Sequence, residues 1–202
     1  MNNYTNVIKY KFLAPVYDTL IGNRIFVEAR RKGFALLEFQ PGESILLVGV
    51  GTGQDLPLLP DNVRVVGVDI SDAMLARAGR IARGRDIKLI NMNAEILEFP
   101  GETFDTVVLN LILSVVENPQ KAMAEAVRVL KRSGKILVFD KFLKKDQSPA
   151  IARKLLNSIT TLMGTDINRY FEDIARELPV KIIHDTPSIF AGGYRIILLE
   201  KI

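Results

Sequence analysis

In "SILLVGVGTGQDLPLLP", residues 44–60, an apolar run passes into three glycines, Gly49, Gly51 and Gly53, and no charged residue appears until Asp55. Glycines there let the backbone turn tightly and let a ligand press against the main chain with no Cβ in the way. Three ligand classes suit such a backbone: a nucleotide phosphate, a dinucleotide or a nucleoside. A phosphate-binding P-loop needs Lys followed by Ser or Thr after its glycines, and "GTGQDL" has neither. The dinucleotide fingerprint needs a glycine at position 54, where this chain has Gln54, so that reading weakens without falling. A plain strand-to-helix turn is the remaining explanation. Asp69, at the end of "VRVVGVD" and twenty positions after Gly49, bears on the choice. Its carboxylate can accept from both hydroxyls of a ribose, each charge-assisted bond being worth about 1.5–3 kcal/mol net. It can equally help start the helix that Ser71 caps.

The elements around these residues follow from hydrophobic period. Residues 44–50, 63–69, 87–91, 104–110 and 135–140 are short, nearly continuous apolar runs, as strands covered on both faces must be. Between them, Ser71 caps a helix with Met74, Leu75, Ala78 and Ala82 on one face. Asn118 and Pro119 start another that buries Met123, Ala126, Val127 and Leu130, and Gly134 is expected to end it in a left-handed conformation. Such alternation implies a parallel sheet with right-handed crossovers. Residues 180–186 and 194–200 are too close for an intervening helix and should pair antiparallel. The expected fold is α/β: a doubly wound, mostly parallel, Rossmann-like sheet of seven strands with an antiparallel C-terminal hairpin. A single domain is expected over 1–202: an N-terminal helical lid at 1–43, a cofactor-binding core at 44–142, a helical insertion at 143–179 and the hairpin at 180–202. Ile8, Phe12, Val16 and Leu20 give the lid its apolar face, which Pro15 interrupts. Ile167, Phe171, Ile174 and Leu178 do the same for the insertion.

Composition narrows the function classes. The chain has 202 residues, 48% hydrophobic and 25% charged, as expected of a globular domain. It has no cysteine, so disulfides, thiolate metal sites and cysteine nucleophiles are excluded, and no metal site is expected. No apolar run has the length of a membrane span, and "MNNYTNVIKYKF" lacks a signal-peptide core, which points to the cytoplasm. A net charge of +4, without stacking aromatics among the basic residues, gives no support to nucleic-acid binding.

Together, "LLVGVGTGQDLPLLP", "VVGVDISDAMLARA" and the stretch from "NMNAEILEFPGETFDTVVLN" to "KILVFDKF" resemble the class I S-adenosylmethionine-dependent methyltransferases. The branch that they resemble contains the ubiquinone/menaquinone-biosynthesis and phosphatidylethanolamine methyltransferases, and "FLAPVYDTLIGN" is similar to that branch's opening segment. The resemblance implies that Gly49, Gly51 and Gly53 contact the methionine part of S-adenosylmethionine and that Asp69 holds its ribose. It further implies that Ile70 and Met74 pack on the adenine, that Asn93 and Ala94 read the adenine edge, and that Asn110 and Leu111 lie beneath the cofactor. Two positions depart from the family: Leu47 replaces an acidic residue that helps hold the cofactor's amino-acid end, and Asn93 replaces an aspartate.

Methyl transfer from a sulfonium needs alignment above all, and a base only when the acceptor carries its proton. No compact triad is visible. The lone histidine, His184, falls inside the sixth strand, away from the crevice. Tyr17, with Asp18 beside it in the lid, and Asp140 and Lys141, at the end of the fifth strand, are better placed as catalytic groups. Arg169, after Asp166, reads either as a reader of an anionic substrate or as an ion-pair partner of Glu172 or Asp173. The expected acceptor is a small molecule or a lipid, an amine headgroup or a quinone-type ring. Contact of the N-terminal segment with an anionic membrane is a lesser reading than its role as a lid. A cofactor-binding protein without catalysis and a nicotinamide-dependent oxidoreductase are the competing functions.

Overall fold

The computed structural model describes residues 24–143 and 165–202. Tyr17, Asp18, the apolar repeat from Ile8 to Leu20 and most of the insertion lie outside the described residues. The strands are β1 (Ser44–Val48), β2 (Arg64–Asp69), β3 (Ile87–Asn91), β4 (Phe104–Asn110), β5 (Leu130–Lys141), β6 (Val180–Pro187) and β7 (Tyr194–Lys201). They form one sheet in the order β3-β2-β1-β4-β5-β7-β6. The first five strands are mutually parallel, while β7 runs antiparallel to both β5 and β6. This is the doubly wound, mostly parallel sheet with a terminal hairpin that the residue pattern predicts.

Strand periodicity explains why the apolar runs are continuous. Along β1, Ile45 and Leu47 join one buried cluster, with Val108, Leu137, Phe139 and Ile196. Leu46 and Val48 join the other, with Val107, Leu109, Val138 and Ile197. Successive side chains point to opposite faces, and both faces are covered. The helices are α1 (Arg24–Phe34), α2 (Asp72–Ile81), α3 (Pro119–Val129) and the single turns α4 (Phe171–Ile174) and α5 (Ile189–Gly192). Phe26, Ala29 and Phe34 of α1 close the first cluster, and Ala122, Met123 and Ala126 of α3 close the second. Ser71 and Asn118 cap α2 and α3, their side chains accepting from the Met74 and Lys121 N–H groups.

Three local expectations are corrected. Helix α3 passes straight into β5 at Leu130, and Ser133, not Gly134, takes the left-handed conformation (φ 58°). Gly134 is needed for close approach, since a Cβ there would lie 2.8 Å from the Asp105 carbonyl oxygen. A helix does separate β6 from β7, although α5 is a single turn that leaves the antiparallel pairing intact. The end of the insertion holds only the one turn α4, whose Phe171 and Ile174 are buried. Arg169 therefore precedes the helix.

Between β1 and β2 the chain makes a single 3-10 turn, Leu56–Leu58, with few internal hydrogen bonds. Arg85 supplies the missing donors. Its guanidinium donates to the carbonyls of Leu56, Leu59 (2.7 Å) and Pro60 (3.1 Å), and its Nε pairs with Asp61 at 2.8 Å. Asp61 is 90% exposed, so the pair with it contributes little. Arg85→Ala is expected to cost about 1–3 kcal/mol, and Asp61→Asn less than about 1 kcal/mol, in urea unfolding.

Candidate active site

The chain winds from β1 through β2 to β3 and then reverses to β4 and β5, so the crevice lies beyond the carboxyl ends of β1 and β4. The glycines occupy its floor, with φ values of 72°, 55° and 87° at Gly49, Gly51 and Gly53, a region that L side chains enter only at a cost. Their surroundings differ. A Cβ on Gly49 would lie 2.7 Å from Ile112 Cδ1, and one on Gly53 would lie 3.0 Å from Ala78 Cα. On Gly51 the nearest atom would be the Gly49 carbonyl oxygen, 3.9 Å away. Gly49 and Gly53 are glycine because of the protein's own packing. Among the described residues, nothing else lies within 4 Å of that Cβ position on Gly51.

Asp69 joins two sides of the crevice. One carboxylate oxygen accepts from the Gly51 N–H and the other from the Ser71 N–H, both at 2.9 Å. An ionised carboxylate has about four acceptor positions, so Asp69 keeps acceptor capacity for a ribose hydroxyl. Burial pushes the Asp69 pKa up, opposed by backbone hydrogen bonds from Ser71, Gly51 and Ile70. The Met92 N–H donates to the Asp69 carbonyl at 3.1 Å, which draws Asn93 and Ala94 toward the same end of the sheet. The Asn93 amide oxygen accepts from the Glu95 N–H (2.9 Å), and Ala94 is buried. Ile70 is half-buried. Met74, in α2, is buried but joins neither core cluster, unlike Ala78.

At the end of β4, Asn110 is buried and donates from Nδ2 to Asp55 at 3.0 Å, while its Oδ1 is buried without a donor among the described residues. Leu111 takes a left-handed conformation (φ 58°) and donates its N–H to the Phe139 carbonyl. Leu47, the departure from the family pattern, is packed in the interior of β1 and is paired with Gly67 and Val108.

Asp140 is 0% exposed. It accepts from the Ser114 N–H (2.9 Å) and from its neighbour's N–H at Lys141 (2.7 Å). Burial pushes its pKa up against the Lys141 charge and these hydrogen bonds. The Lys141 ammonium is pushed down by burial, with Asp140 opposing, and its Nζ lies 5.8 Å from the Tyr194 ring centroid. Tyr194 belongs to a ring cluster with Phe26, Phe139 and Phe190, at centroid separations of 5.4–6.4 Å. Burial, followed by the Asp140 charge, pushes its hydroxyl pKa up.

Arg169 is a strut of the loop after β4. It donates to the Leu113 and Val116 carbonyls (2.8 Å to Val116) and lies 3.5 Å from Asp166. Its ion partner is thus Asp166, not Glu172 or Asp173. The crevice also holds residues to which the sequence assigned no role: Asp55, Arg30, Ser114 and Tyr194. A charged residue next to a glycine loop was the only signal for the first, and Arg30 sits in a helix far from it in sequence. His184 lies in β6, beside a groove against α1.

The comparisons with known proteins fit this geometry. The model of a methyltransferase domain matches residues 46–138. A phosphatidylethanolamine N-methyltransferase of Cereibacter sphaeroides is 30% identical over 190 residues, 92% of this chain and 93% of that protein. The chain belongs to the S-adenosylmethionine-dependent methyltransferases. A ubiquinone/menaquinone biosynthesis C-methyltransferase of a Marinomonas species is 31% identical over 146 residues, 64% of this chain and 57% of that one. The fold is shared with the crystal structure of geranyl diphosphate C-methyltransferase from Streptomyces coelicolor (TM-score 0.72, 16% identity, 87% of this chain and 79% of that one).

The methyltransferase cofactor fits the residues present. Among the described residues, Gly51 leaves room for a ligand against bare backbone, and the buried Asn110 Oδ1 has no donor. Gly53→Ala and Gly51→Ala separate packing from binding. Both add about 1–2 kcal/mol of left-handed strain, but Gly53→Ala also drives a Cβ toward the α2 backbone and should show the larger fall in thermal midpoint. Gly51→Ala should instead show the larger loss of S-adenosylhomocysteine affinity by calorimetric titration.

Proposed function

We propose that this methyltransferase transfers its methyl group to the amine of a lipid headgroup. The similarity to the phosphatidylethanolamine enzyme carries this reading, because it spans 92% of the chain, including the segments on either side of the core. When bound, S-adenosylmethionine supplies a methyl on a sulfonium, which a nucleophile displaces in line. In the proposed binding mode, Gly49, Gly51 and Gly53 line the methionine part and Asp69 accepts from the ribose hydroxyls. Ile70 and Met74 flank the adenine, Asn93 and Ala94 meet its edge, and Asn110 and Leu111 lie beneath. Alignment of amine and methyl in this crevice is worth about 7–11 kcal/mol.

A headgroup ammonium must lose its proton before it attacks. Lys141 is the proposed proton acceptor: it lies two strands from the glycine loop, about 10 Å away at strand spacing, and burial favours its neutral amine. Tyr17, outside the described residues, is the second group proposed to reach the acceptor. Asp140, with both oxygens engaged by backbone N–H groups, is assigned to positioning: it fixes Lys141 and the loop at Ser114. The partly exposed Tyr194 ring suits a methylated ammonium, with the buried Phe26 and Phe139 packed behind it. Phe190 (61% exposed) and Ile25 (53%) give the cluster an apolar outer edge for acyl chains, consistent with contact at a membrane surface. No helix among the described residues is long and apolar enough to cross one. A quinone-type ring is the second acceptor reading, supported by the similarity over the core to the quinone-biosynthesis enzymes.

The test is methyl transfer from labelled S-adenosylmethionine to phosphatidylethanolamine vesicles. Labelled N-methylated lipid is expected, and transfer to a demethylated quinol with none to the lipid would reverse the assignment. Lys141→Met should lower kcat by about 100-fold. It should also remove the rise in kcat that accompanies deprotonation of Lys141, which burial places below the ordinary lysine range.

A further inference from the structure

Behind the glycine loop lies a buried cluster of opposite charges. Arg30, from the middle of α1, is 5% exposed, and its Nε lies 3.2 Å from Asp55 Oδ1; the Asp55 side chain is 12% exposed. Asp55 Oδ2 accepts from Asn110 Nδ2 at 3.0 Å, which fixes the orientation of the Asn110 amide. Two acceptor oxygens are then left over. Asp55 Oδ1 touches Arg30 without an aligned hydrogen bond, and Asn110 Oδ1 has no donor; both are buried, and neither accepts a hydrogen bond among the described residues. Unsatisfied buried acceptors are costly, and native structures contain few of them. Burial also pushes the Asp55 carboxyl up despite the opposing charge of Arg30 and the hydrogen bond from Asn110, so these partners undercompensate its charge.

The sheet order says what meets this cluster. With the ribose proposed at Asp69, beyond β2, and the adenine at Asn93 and Ala94, beyond β3, the rest of the cofactor runs across the β1 loop toward β4, where Asp55 and Asn110 stand. The part that arrives there is the amino-acid end, whose ammonium brings three donors. No carboxylate inside β1 can meet it, because Leu47 occupies the core. Resting on the cofactor assignment above, we propose that Asp55 and Asn110 form the seat of the cofactor's α-ammonium, with Arg30 holding the Asp55 carboxylate in place. This seat selects ligands carrying a free amino acid over the bare nucleoside thioether.

The experiment compares S-adenosylhomocysteine with 5′-methylthioadenosine, which keeps adenine, ribose and sulfur but lacks the amino acid, by calorimetric titration. Asp55→Asn is expected to weaken S-adenosylhomocysteine by about 10- to 100-fold, the worth of one charge-assisted hydrogen bond, and to leave methylthioadenosine unchanged. Asn110→Leu, which keeps the Arg30–Asp55 pair, should show the same selective loss to a smaller degree, and it decides the matter if Asp55→Asn does not fold. Equal loss of both ligands in the folded variants, or no loss of either, would overturn the proposal and make the cluster purely structural. Failure of the wild-type protein to bind either ligand would overturn the cofactor placement itself, and the seat with it.

Discussion

The Asp69 carboxylate spans the gap between the turn after β1 and the start of α2, and the crevice depends on that bridge. By accepting from the Gly51 and Ser71 N–H groups it fixes the left-handed glycine turn to the end of the neighbouring strand. Remove it, and two backbone donors lose their acceptor in a half-buried place, where each costs about 1–3 kcal/mol. The same group is the one proposed to accept from the ribose. In that proposal, binding and local folding draw on one side chain.

The rest of the structure braces this floor from below and from the side. Continuous apolar runs bury both faces of the sheet and hold the strand ends level. Across the crevice, the loop after β4 is pinned from three directions: Asp140 accepts from Ser114, Arg169 donates to Leu113 and Val116, and Asp166 donates its N–H to the Ser114 carbonyl. An arginine and an aspartate that look like chemical groups in the sequence spend their hydrogen bonds on backbone. The loop, in turn, sets Ile112 against Gly49, so a glycine there is enforced by packing as well as by conformation.

Strand positions and winding were legible because each leaves a local signal: apolar runs and helix caps. The long-range polar contacts were not. Arg30 and Asp55 are 25 positions apart, and Asn110 and Asp55 are 55 apart, so only the fold brings them together. The role expected of Arg169 changed for the same reason, since its acceptors, Leu113 and Val116, are more than fifty positions away. Gly134 was assigned by a helix-ending rule, but the neighbouring strand, through the Asp105 carbonyl, is what excludes a side chain there.

The most direct test of the nucleoside lying on the glycine floor is calorimetric titration of wild type and Asp69→Ala with S-adenosylmethionine and S-adenosylhomocysteine, with thermal unfolding to establish that the variant is folded. The expected result is binding of both ligands by wild type and loss of both by the folded variant. Undiminished binding by Asp69→Ala would contradict the placement of the ribose and, with it, the direction in which the cofactor crosses the sheet.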